Sequence, residues 1–174
     1  NPTTLGAITF TITVAFAGGF LGGYIVSKGD PFWTLSGGLA GVVAVSAGAD
    51  VYHPSLTWLL AIFGAVFAYK VGTWQETKMR VDDAVGAVAV HGWTGFLALI
   101  LMGIFGGGFP TGYMGASVEV TLLGQLVGVA TLMPLAFISG YVVAWLLKKG
   151  NLLRVPVEVE ITGIGTLRNP VEAG

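Results

Sequence analysis

Few side chains in this sequence can do chemistry, and the most informative is His91. It lies inside the run Asp83-Ala-Val-Gly-Ala-Val-Ala-Val-His91-Gly-Trp-Thr-Gly-Phe-Leu-Ala-Leu-Ile-Leu-Met-Gly-Ile-Phe105, which carries no formal charge after Asp83. That run reads as a membrane-spanning helix, and helical rise would place His91 about 12 Å past Asp83, inside a hydrocarbon layer about 30 Å thick. An ionisable group at such depth is costly and usually marks a pathway or a ligand site. The two readings are a pore or relay ligand and a histidine hydrogen-bonded between helices. Intramembrane ionisable groups are functional by default, which favours the first.

The other polar groups have plainer accounts. Asp82 and Asp83 open the His91 run, where carboxylates cap free amides and complement the helix dipole. Asp50 and His53 lie beside Pro54 in a turn; they could attract a cation or simply form a polar corner. Glu119 reads as a dipole partner near the start of the last apolar run. Ser36, before Gly37-Gly38, is either a cap-like hydroxyl or a contact at the mouth of a pathway. Gly106-Gly-Gly-Phe-Pro-Thr-Gly112 is a turn rather than a phosphate loop, since it lacks the Lys-Ser/Thr ending and follows no strand. There is no cysteine, which removes disulfides, thiolate catalysis and zinc-thiolate sites together. With no nucleophile–base–acid set and no metal cluster, the reading is of a non-enzyme with no catalytic residue, metal or cofactor.

The elements that must position these groups follow from composition. Of 174 residues, 54% are hydrophobic and 10% charged, against about 25% charged in soluble domains, so the chain reads as an all-α integral membrane protein. A net charge of −1 gives no basis for a nucleic-acid partner. Five apolar runs are long enough to cross: about 5–27, 32–52, 55–74, 83–105 and 117–147. The last is overlong and holds Pro134, as a tilted or kinked single helix would. Residues 1–149 thus form a transmembrane domain surrounded by membrane lipid, and 150–174 a tail. Five crossings put Lys28, Lys70, Lys78, Arg80, Lys148, Lys149, Arg154 and Arg168 on one side. By the positive-inside rule the N-terminus is outside and the tail cytoplasmic. A first helix entering from outside, in a chain beginning at Asn1, leads us to expect a preceding crossing.

Glycine patterns describe helix contacts. Gly18-x-x-x-Gly22, Gly19-x-x-x-Gly23, Gly37-x-x-x-Gly41 and Gly124-x-x-x-Gly128 form smooth stripes along which backbones can approach. On a regular fourth helix, Ala84, Ala87, Val88, His91, Thr94, Gly95 and Ala98 would share one small-residue face, directed at neighbouring helices or a narrow lumen.

Three blocks together resemble the ammonium transporter (Amt/Mep/Rh) family, in its bacterial Amt branch. Ser36-Gly-Gly-Leu-Ala-Gly-Val-Val-Ala-Val-Ser-Ala-Gly48 is similar to the family's SGxxAGLVAIT stretch. Val81-Asp-Asp-Ala-Val-Gly-Ala-Val-Ala-Val-His91-Gly92 resembles the VDDPxxxxxVHG block, which carries the second of two pore histidines. Leu153-Arg-Val-Pro-Val-Glu158-Val-Glu160 resembles the LRVPxExE segment after the last helix. The resemblance covers nearly the whole chain, as the seventh to eleventh helices and tail of an eleven-helix inverted-repeat fold. It implies passage of ammonium or ammonia through a narrow apolar pore in each subunit of a homotrimer, in the bacterial inner membrane. By match to the motifs, His91 would be the second pore histidine, Ala87 would line the lumen one turn earlier, Ser36 and Leu39 would face the cytoplasmic vestibule, and Asp83 would be a structural carboxylate.

The chain also departs from the family pattern. The first half and its pore histidine are absent, so the resemblance implies a missing N-terminal half in the same or a separate chain. Ala84 replaces the proline of VDDP, and Ile161-Thr-Gly-Ile-Gly-Thr-Leu-Arg168 replaces a GLD…HGE-like ending. The resemblance therefore does not extend to coupling with a PII-type regulator. A truncated homologue serving as a structural subunit, or an ammonium sensor, is the alternative.

Overall fold

The computed structural model describes residues 4–81, 83–110 and 119–152. Five helices are long and apolar enough to cross a membrane, and no strand occurs among the described residues. The chain divides into two units, Asn1–Leu132 and Met133–Gly174.

Each helix start in the first unit has a local cause. Helix α1, Leu5–Ser27, begins where the Ala7 N–H donates to the Thr4 hydroxyl at 3.2 Å. It ends at Lys28 and Gly29, both in the left-handed region, with the Gly29 N–H donating to the Tyr24 carbonyl at 2.9 Å. Helix α2, Pro31–Val45, follows at once: Asp30 accepts from the Trp33 N–H at 2.8 Å, and Pro31 needs no donor in the first turn. Asp30 thus fills the capping role, and Ser36 is buried a turn and more inside the helix. The expected run to residue 52 is shorter as α-helix. It tightens into a 3-10 turn at Ser46–Gly48 and then leaves helical geometry. Helix α3, Pro54–Trp74, is capped by His53, whose Nδ1 faces the Ser55 hydroxyl at 2.8 Å; it continues as a π-helical turn, Gln75–Met79.

Helices α1, α2 and α3 pack on one another, and glycine decides how closely. The two overlapping stripes of α1 serve two neighbours. A Cβ at Gly18 or Gly22 would stand 2.7 Å from the α3 carbonyl of Trp58 or Ile62. A Cβ at Gly23 would stand 2.5 Å from the Trp33 carbonyl on α2, and Gly19 would collide with the carbonyl of Gly37. Backbone therefore meets backbone on both sides of α1, the arrangement small residues permit in lipid.

The fourth crossing differs from the expected single helix over 83–105. Asp83 precedes it, Gly86 turns the chain at φ +67°, a π-helical segment runs Val88–Trp93, and helix α4 proper is Thr94–Phe105. Only glycine adopts that φ without cost, which is why the helix cannot start at Asp83. The rise argument fails with it, since His91 is only about one turn into the helical segment. Helix α5, Leu122–Lys149, begins later than the expected residue 117. Thr121 accepts from the Gly124 N–H at 3.0 Å, while Glu119 sits outside the helix in an isolated bridge with Pro110. The second unit holds the part of α5 after Leu132, where Pro134 lies inside the helix and Lys149 stands 4.0 Å over the Trp145 ring. Within the first unit, no α5 residue from Leu122 to Leu132 is buried, and a Cβ at Gly128 would meet nothing within 4 Å. Asp82, Ser117 and most of the tail, Leu153–Gly174, lie outside the described residues.

Candidate functional site

The His91 segment is held at both ends and along one side. Ala89 and Val90 are buried; Val90 packs with Ala40 of α2 and Ala68 of α3. Gly72 of α3 makes room there, since a Cβ on it would lie 3.1 Å from the Ala89 Cβ. The next residue, His91, is exposed, as is Ala87 one turn before it. The apolar neighbours anchor the backbone and present the imidazole on the uncovered side.

Three side chains pin the segment. Asp83, 8% exposed, accepts from the Ala89 N–H at 3.0 Å through Oδ2. The Thr94 hydroxyl donates to the Ala89 carbonyl at 2.9 Å, and the Thr94 N–H donates to the same oxygen, closing the π turn. The Trp93 indole N–H donates to Oε1 of Gln75 at 2.9 Å. The Ala89 N–H, in the first turn and without a helical acceptor behind it, is satisfied by Asp83, and its carbonyl accepts from both the backbone and the hydroxyl of Thr94.

The widened turn also splits the expected small-residue face. Thr94 and Ala98 are buried, whereas Ala84, Ala87, Val88 and His91 are exposed. A π turn adds a residue to the helical cycle, so the residues after it are rotated relative to those before it. On α2, Ser36 is buried and Leu39, three residues later, is 48% exposed. The side-chain hydrogen bonds on the His91 segment involve Asp83, Gln75 and Thr94. Gln75 was not evident from the sequence; its only signal there is an amide at the end of an apolar run. His53 and Ser55 form the cap of α3. Tyr52, in the turn before it, is buried with no partner for its hydroxyl among the described residues, and burial pushes the phenol up to about 12. Among the described residues no group of three or more acidic, His or Cys side chains could hold a metal ion.

The sequence has relatives among known proteins. The model of the Ammonium Transporter Family matches residues 2–168. The chain belongs to the ammonium transporter family. It is 30% identical to ammonium transporter Amt1 of Methanocaldococcus jannaschii over 95% of this chain and 41% of that protein. It is 32% identical to Amt2 of the same organism, over 97% of this chain and 39% of the relative. The ammonium transporter of Corynebacterium glutamicum is 30% identical over 90% and 36%. No solved structure matches. The chain thus spans about two fifths of the length of these curated relatives, which include archaeal proteins, so the match does not narrow the family to a bacterial branch. Membership and five spanning-length helices together make this an integral membrane protein of a transporter family.

Proposed function

We propose that these helices form part of a membrane protein that conducts ammonium or ammonia, with His91 on the wall of the pathway. The observation that carries the reading is an imidazole left uncovered on a segment pinned at three points within an apolar helix set. A residue that merely packed between helices would not need a rigid mount facing away from its neighbours. The names of the relatives supply the substrate.

The physical logic runs through charge. An unpaired ion in an apolar passage costs roughly tens of kcal/mol on Born arithmetic before relaxation, while a neutral molecule escapes that cost. A route that strips ammonium of its proton, carries ammonia past imidazole and re-forms the cation would exclude potassium. Imidazole suits it, with one donor and one acceptor and proton exchange near neutral pH. Ala87 keeps the wall narrow and small one turn before His91, Asp83 holds the segment from below, and Ser36 and Leu39 contribute to the cytoplasmic approach. Further helices, in the same or another chain, close the passage over the exposed side of His91 and cover α5; the whole assembles as a trimer. The basic residues orient it with the Lys148-Lys149 end in the cytoplasm.

In the full-length protein, His91→Ala is expected to abolish methylammonium uptake or admit potassium at unchanged membrane abundance. Unchanged uptake together with intact potassium exclusion would remove His91 from the pathway.

A further inference from the structure

We propose that Gln75 is a positioning residue for His91, acting through the indole of Trp93; the inference rests on His91 being a pathway residue. Gln75 is 2% exposed and opens the π turn that extends α3. Trp93 closes the π segment that carries His91. The 2.9 Å hydrogen bond therefore ties two widened turns, 18 residues apart in sequence, to each other. The Trp74 and Trp93 rings meet edge to face at 6.3 Å beside it.

The chemistry of the pair fixes its geometry. Indole N–H only donates, so the amide must turn its oxygen toward Trp93. That leaves Nε2 buried without a partner among the described residues. A half-satisfied buried amide is costly, and leucine or methionine would fill similar volume without the unpaired donor. Packing alone therefore gives no reason for glutamine here.

The need lies in the helix. Between His91 and Trp93 stands Gly92, the residue that least restrains a backbone. A π turn is an unusual state of a helix and reverts by losing one residue from the cycle. Loss of one residue would swing the imidazole by about 100° relative to the anchored helix. Asp83 holds the N-terminal side of the turn, and Gln75, through Trp93, holds the C-terminal side. With both in place the ring has one direction.

The test uses the full-length protein in lipid bilayers and reads the imidazole ¹⁵N signal of His91 by solid-state NMR, assigned by its loss in His91→Ala. Gln75→Leu, Gln75→Met and Trp93→Phe should each shift that signal or split it in two, and Gln75→Leu/Trp93→Phe should do no more than either single change. Methylammonium uptake should fall about tenfold at equal abundance. An unchanged His91 signal in any folded Gln75 variant overturns the proposal. Absence of uptake in the wild-type protein would overturn the transport reading alone, because the imidazole signal still decides whether Gln75 sets the ring.

Discussion

Replacing Gly37 by alanine tests how closely α1 and α2 are packed. A Cβ at Gly37 would stand 2.7 Å from the Gly19 carbonyl oxygen and 2.8 Å from the Gly23 Cα. Both obstacles are backbone, so no side chain can rotate away. The helices must part by about 0.7 Å to reach ordinary contact, and a gap of that size forfeits a quarter to a half of each dispersion contact along the seam. Overpacking of this kind costs about 1–3 kcal/mol. Alanine returns up to about 1 kcal/mol in helix propensity. The net expectation is a loss of about 1 kcal/mol, and of about 2 kcal/mol where the backbones cannot part. Gly95→Ala is the internal comparison, since its Cβ would lie 4.0 Å from the Val43 Cγ1 and meet no obstacle. Reversible unfolding in mixed detergent micelles, followed by circular dichroism, gives both values. Gly37→Ala as stable as wild type would refute backbone contact between α1 and α2, and a loss of equal size in Gly95→Ala would refute the assignment of the cost to crowding.

Asp83→Ala should cost about 1–3 kcal/mol by leaving the Ala89 N–H buried and unpaired, and thermal unfolding should show Asp83→Asn, which keeps an acceptor, to be milder. Tyr52 gives a pH dependence: its phenol is raised from 10.0 to about 12 by burial, so the folded state holds the proton more tightly than the unfolded chain. Stability from this group is complete below pH 10 and is lost as pH rises toward 12; Tyr52→Phe should remove that alkaline loss in a pH series of unfolding midpoints.

Fold class was legible because five apolar runs can hardly be anything but crossings. The break before His91 was not. Gly86 is one of 28 glycines, many of them in helices, and nothing local marks it as one that turns left-handed. Asp83 was readable as a carboxylate at a helix start, but its acceptor role reaches six residues on, to Ala89, across that turn. A regular helical wheel groups His91 with Thr94 and Ala98; the π turn, which no periodicity announces, separates them. The Gln75–Trp93 bond depends on a tertiary approach allowed by Gly72, so sequence neighbours of Gln75 say nothing of it. In α5 the glycine pattern had the same form as in α2, yet in this structure only α2 has a neighbour pressed against its glycines.

The short link between α1 and α2 bears on the order of assembly. Only Lys28, Gly29 and Asp30 separate the two helices, and their facing stripes need no side chain to be sorted before they meet. Closing so short a loop costs little chain entropy. This hairpin can therefore form as soon as its second helix has entered the bilayer, while the His91 segment must wait for α2 and α3 to provide Ala40, Ala68 and Gln75. Biogenesis would then set the mount of the imidazole only after the α1–α2 hairpin has formed and α3 has joined it.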